Sequence, residues 1–111
     1  TREYHIDSYL DGRFKIFLLL TDCIDYKYGP FSYILKSHKK NIYKLYNYIN
    51  NKIFNNNITN MKFYNKKNEA TIVGEAGTLF ISNQSGIHRG LPQSLGYERL
   101  VAVLNFKIQS N

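Results

Sequence analysis

Apolar and polar positions along the chain alternate in short stretches with two different periods. From Arg2 to Ser8, Tyr4 and Ile6 alternate with His5 and Asp7. That period of two reads as a short strand with His5 and Asp7 on one face. Asp11-Gly12 marks a turn. Phe14 to Leu20 (FKIFLLL) is an apolar run of strand length, expected to be buried on both faces. Asp22 to Pro30 reads as a loop punctuated by Gly29-Pro30, and Phe31 to Leu35 as another short strand. Between Asn41 and Asn55 the period changes. Ile42, Leu45 or Tyr46, Ile49 and Ile53 recur at three- and four-residue spacing, which predicts an amphipathic helix capped by Asn41 and ended by Asn55-Asn56-Asn57. Its aromatic residues read as packing groups. Residues 58–68 are polar and irregular. Ala70 to Val73 is a strand, Gly74 to Gly77 a turn and Thr78 to Ser82 a strand. Arg99 to Ile108 is a strand with clear alternation. Between the last two strands, Gly86, Gly90, Pro92 and Gly96 exclude a helix, and His88 falls where a sheet hands over to a loop.

The 111 residues fit one domain, 1–111, with 38–68 as a helical, lysine-rich insert. Ten Tyr and seven Phe with no Trp suit a mainly β core. Ile16–Leu20 is far too short to span a bilayer, so no membrane partner is expected. Glu3, His5 and Asp7 rule out a signal peptide in the first residues. Cys23 is the lone cysteine, so it forms no internal disulfide and reads as a small buried hydrophobe. That usage fits a reducing, cytoplasmic location. The net charge of +7 is concentrated: residues 26–68 hold nine lysines and no acid, while the remainder sums to −2. Lys, Asn, Tyr and Ile are together what AT-rich coding produces, which gives the lysines a compositional reading. A second reading is steering of an anionic substrate. A third is a basic nucleic-acid-binding domain, from lysines interleaved with tyrosines.

Two imidazoles and one carboxylate on otherwise apolar strands suit a first-row metal, since three such donors occupy one face of an octahedron and leave the other open. His5-Ile6-Asp7 offers two ligands on one strand face. The third must come from a strand distant in sequence. His88 is the best candidate. His38 is the competitor, but beside Ser37 and two lysines it reads as solvated.

Three ordered stretches carry a resemblance. YHIDSY resembles a "WHxD" strand, GPFSYILKSHKK resembles an "NGPL…VIPGSHK" segment, and AGTLFISNQSGIHRGLPQSLGYERLVAVLNF resembles a "GD…F…H-x-x-x-P…R…L…Y" end. These are the motifs of the phytanoyl-CoA dioxygenase family of Fe(II)- and 2-oxoglutarate-dependent oxygenases. The eleven residues from His88 to Arg99 also match that family's spacing. Tyr4, Lys36 and Thr78 depart from the family's usual Trp, Gly and Asp. The retained Asp7 separates the chain from the halogenating branch.

The resemblance implies a double-stranded β-helix, a jelly-roll barrel of the cupin type, with one helix inserted between its fourth and fifth core strands. It implies His5, Asp7 and His88 as ligands of Fe(II), and Arg99 as the partner of the distal carboxylate of 2-oxoglutarate, with Arg89 as its rival. The activity implied is hydroxylation of a small organic substrate, anionic if the lysines steer it, by molecular oxygen. The family carries helices and a barrel strand ahead of H-x-D, whereas four residues precede His5 here. The expectation is therefore a shortened member, active or a non-catalytic binding module. An unpaired sheet edge in such a barrel would favour a homo-oligomer.

Overall fold

The structure, a computed structural model, describes residues 2–108. Six strands and one helix follow in the order β1 (Arg13–Leu19), β2 (Phe31–Ile34), α1 (Ile42–Phe54), β3 (Glu69–Ile72), β4 (Leu79–Asn83), β5 (His88–Gly90) and β6 (Val101–Lys107). They form two antiparallel three-stranded sheets, ordered β4-β1-β6 and β3-β2-β5. The fold is mainly β with one helix, and the helix falls between β2 and β3.

The sheets meet through aromatic rings. Phe17 on β1 stacks on Phe80 of β4 with centroids 4.8 Å apart, and both touch Phe31 of β2, at 4.9 and 5.5 Å. A second core lies on the other side of β2. There Tyr4, Ile6, Ile34 and Ile87 are buried, and Tyr9, Met61 and Tyr64 close over them. Cys23 is free and fully buried, and burial pushes its thiol above the ordinary value, as suits a small hydrophobe.

Several expectations need correction. Arg2–Ser8 is not a continuous strand; it touches the sheet through one antiparallel bridge, His5 with His88. The alternation still operates, because Tyr4 and Ile6 enter the second core while His5 and Asp7 turn the other way. The run Phe14–Leu20 is not buried on both faces. On the face away from β2, Ile16 is paired in register with Ile81 and Leu104, and both of those are exposed. His88 lies in no loop; it opens β5, a three-residue strand that ends on Gly90. Arg99 does not begin β6 but stands two residues ahead of it, where Leu20 N–H donates to Leu100 O and extends the pairing.

Helix α1 has the caps its sequence predicts. Asn41 accepts from Lys44 N–H at 2.9 Å, and Asn55 ends the helix with φ of 51°. Its orientation is reversed relative to an ordinary surface helix. The buried residues are Lys44, Asn47 and Asn51. Each finds a hydrogen-bond partner: Lys44 Nζ donates to His38 O at 3.0 Å, Asn60 N–H to Asn47 Oδ1 at 2.8 Å, and Asn51 Nδ2 to Tyr9 OH at 3.3 Å, while Asn51 Oδ1 is buried without a partner among the described residues. The apolar stripe consequently points away from the sheets.

Candidate metal centre

The residues singled out in the sequence converge. His5 Nε2 lies 3.4 Å from Asp7 Oδ1, and His88 Nε2 lies 3.2 Å from Asp7 Oδ2. One donor atom from each of the three residues falls within 4.8 Å of the others. Bonds of about 2.0–2.2 Å would draw such donors to roughly 3–4 Å of one another, slightly closer than they stand.

Each donor is positioned by its local backbone. His5 and Asp7 share a face because they are two residues apart in extended chain. Reciprocal backbone hydrogen bonds of 3.0 Å between His5 and His88 then set the two imidazoles side by side, with ring centroids 4.3 Å apart. His88 also stacks on Phe31 at 5.5 Å. Both rings are oriented through their other nitrogen. His5 Nδ1 lies 2.8 Å from Glu3 O, and His88 Nδ1 lies 2.9 Å from Gly86 O. A carbonyl only accepts, so each Nδ1 carries the proton. In the neutral ring this leaves a lone pair on each Nε2, facing a carboxylate oxygen that is itself an acceptor. Three acceptors aimed at one another are stabilised by a cation between them, and carbonyl-bound Nδ1–H is the usual support of a metal-ligating histidine. The donor set therefore fits a divalent metal with an N₂O preference.

With both rings protonated on both nitrogens, hydrogen bonds from His5 and His88 hold the Asp7 carboxyl far below the usual carboxylate range, against the opposing effect of partial burial. Lys15 adds to this, with Nζ 2.6 Å from Asp7 Oδ2. Lys15 was missed in the sequence, although a lone charge inside FKIFLLL is itself a signal: it needs a partner.

Arg99 belongs to the same site. It lines a cavity of about 360 Å³ together with His5, Asp7, Lys15, His88 and its rival Arg89. Phe17, Phe31, Val101 and Val103 supply the apolar walls. Among the described residues no carboxylate pairs with Arg99, whereas Arg89 Nε donates to Glu69 Oε1 at 3.2 Å and its guanidinium lies 4.0 Å from the Tyr4 ring centroid. His38 is not part of the cluster, and none of the cavity walls comes from residues 38–68.

Behind the site, Glu69 gathers Ser32 Oγ at 2.6 Å, Tyr4 OH at 3.0 Å and Arg89. Burial alone would raise its pKa, but the hydrogen bonds from Ser32 and Tyr4 and the charge of Arg89 bring it below the ordinary 4.5. A depressed pKa contributes stability that is present above the unfolded value and lost as pH falls through the folded one. Thermal stability should therefore decline as pH drops below about 4.5, and Glu69→Gln should flatten that decline. An unchanged slope in Glu69→Gln would assign the acid sensitivity to other groups.

Gly86 gives a second test. A Cβ at this position would fall within the Tyr33 side chain, whose hydroxyl donates to Asn83 O at 3.0 Å. Gly86→Ala should cost on the order of 1–3 kcal/mol in chemical denaturation and disturb the carbonyl that orients His88. A variant as stable as the parent would mean that Tyr33 swings aside freely.

No protein-family model, curated protein or solved structure matches the chain.

Proposed function

We propose that the chain is a Fe(II)- and 2-oxoglutarate-dependent dioxygenase of the phytanoyl-CoA dioxygenase type, with a jelly-roll barrel as its scaffold and a small organic molecule as its substrate. One observation carries this reading: both histidines spend Nδ1 on a backbone carbonyl and turn Nε2 toward Asp7, in a cavity that also receives Arg99. His5, Asp7 and His88 would hold the metal. Fe(II) with 2-oxoglutarate supplies oxidation of a C–H bond by molecular oxygen, with 2-oxoglutarate ending as succinate and carbon dioxide. Arg99 binds the distal carboxylate, since a guanidinium is always charged and offers two parallel donors. Lys15 balances the Asp7 charge and adds a cation to a cavity suited to anions. The side chains of Phe17, Phe31, Val101 and Val103 give the cavity an apolar wall for the substrate's carbon skeleton.

The test is succinate formation on admitting oxygen to the anaerobic protein with Fe(II) and 2-oxoglutarate. Iron-dependent succinate that disappears in His88→Ala supports the reading. Failure of the triad to bind iron ends it. A second reading has its own observation. The 2.6 Å contact of Lys15 with Asp7 neutralises the carboxylate from within the protein, as suits a non-catalytic binding module. Iron binding without any succinate would select that one.

A further inference from the structure

The outward face of α1 has no role in the metal centre. At 3.6 residues per turn, Ile42, Tyr46, Ile49 and Ile53 fall within a strip about 60° wide, with Leu45 at its border. The buried Lys44, Asn47 and Asn51 lie on the opposite side of the helix. The five stripe residues are between 44% and 73% exposed. A helix of 13 residues thus presents an apolar ridge of four aliphatic residues and one tyrosine, turned outward by a polar underside that is hydrogen-bonded to the body. Exposed contiguous apolar surface of this kind marks an interaction site.

The ridge has a mostly basic rim. Lys39 and Lys40 precede the helix, Lys52 lies on its flank 5.6 Å from the Tyr48 ring centroid, and Lys62 sits beside Phe63, which stacks on Tyr43 at 4.6 Å. Residues 26–68 contain no acid at all; Lys40 pairs with Asp11, from outside that segment. Tyr43 and Tyr48 flank the ridge and are partly exposed, an apolar body with a polar tip on each side.

We propose that this face docks the protein on an anionic lipid bilayer, with α1 lying in the plane of the headgroups. An apolar ridge between tyrosines and lysines is the pattern of an interfacial helix. The occupant follows from charge and from the ridge itself. Two copies meeting through this face would bring their lysine rims together. A nucleic acid would meet the lysines, yet four of the five stripe residues are aliphatic, and the exposed rings near them are already packed on one another, Phe63 against Tyr43 and Tyr46, where bases need free aromatic platforms or hydrogen bonds. An anionic bilayer satisfies both parts at once: lysines at the phosphates, Ile and Leu at the acyl boundary. The helix is too short to cross, and no described helix is long and apolar enough to do so. The sequence led to the expectation of no membrane partner; a helix lying on the surface departs from that expectation, because it needs only one apolar face.

The experiment is flotation with vesicles of phosphatidylcholine alone and of phosphatidylcholine mixed with phosphatidylserine. The protein should float with the mixed vesicles, and the bound fraction should fall as salt is raised. Ile49→Asp with Ile53→Asp should lower the apparent affinity more than tenfold. Lys39→Gln, Lys52→Gln and Lys62→Gln together should lower it at least fivefold. Ile49→Ser with Ile53→Ser serves if the aspartates disturb folding, and unchanged circular dichroism and iron binding certify each variant. No flotation, or equal flotation with both vesicle types, overturns the proposal. So does a dimer in sedimentation equilibrium that the Ile49 and Ile53 changes dissolve, which would make a second copy the occupant. Tighter binding to single-stranded DNA than to the mixed vesicles, insensitive to the isoleucine changes, overturns it in favour of a nucleic acid.

Discussion

Asp7→Ala is expected to abolish Fe(II) binding in anaerobic calorimetry, with an affinity loss of more than about 100-fold, beyond the 10–100-fold cost of losing a supporting partner. Asp7 is the negative member of the donor set. Without it the two imidazoles bring no charge to offset a dication. Lys15 deepens the loss. Its ammonium, now 2.6 Å from the Asp7 carboxylate, would remain in the cavity with no counter-charge and would repel the metal. Asp7 takes no part in the hydrophobic core and its side chain is 28% exposed. The variant should therefore keep its circular dichroism spectrum, which separates loss of the site from loss of the fold. Iron affinity within tenfold of the parent would remove Asp7 from the ligand set.

Arg99→Ala is expected to do the reverse. Iron binding should persist, because Arg99 lies outside the cluster of donors. Binding of 2-oxoglutarate to the iron-loaded protein should weaken more than about tenfold, since a hydrogen bond to a charged group contributes about 1.5–3 kcal/mol. Arg99→Lys should recover part of the loss: it restores the charge but not the fork. Arg89→Ala is the control, because Glu69 and Tyr4 already engage that guanidinium. If Arg89→Ala weakened 2-oxoglutarate binding and Arg99→Ala did not, the two assignments would be exchanged.

Much of the site could be read from sequence because its geometry is local at one end. A separation of two residues in extended chain puts His5 and Asp7 together whether or not a strand forms around them. His88 was identifiable as a candidate ligand but not as a strand residue, because the three residues of β5 are too few for a periodicity to register. Lys15 was visible as an anomaly in an apolar run, but its partner became evident only when β1 was placed beside residues 5–7. Periodicity also located the stripe of α1 without its direction. A moment records which side chains share a face, and the choice of inward face was made by Lys44, Asn47 and Asn51 finding hydrogen-bond partners. For the same reason FKIFLLL announced a strand and its length, while the company on each of its faces depends on elements elsewhere.

The single bridge between His5 and His88 has a kinetic meaning. β1 is zipped to a neighbour on each side along its length. The segment carrying His5 and Asp7 is tied to β5 by one reciprocal pair, helped by Ser8 N–H on Gln84 O and Thr59 N–H on Tyr4 O. The same segment buries Tyr4 and Ile6 in the second core, so the bridge does not release alone: freeing His5 means withdrawing those side chains as well. Its release takes away two of the three donors together while the third stays in its sheet. The three donors face one another only while that core is closed. Substitutions that thin the core at Ile34 or Ile87 should therefore shorten both the lifetime of the fold and the time the donors spend together.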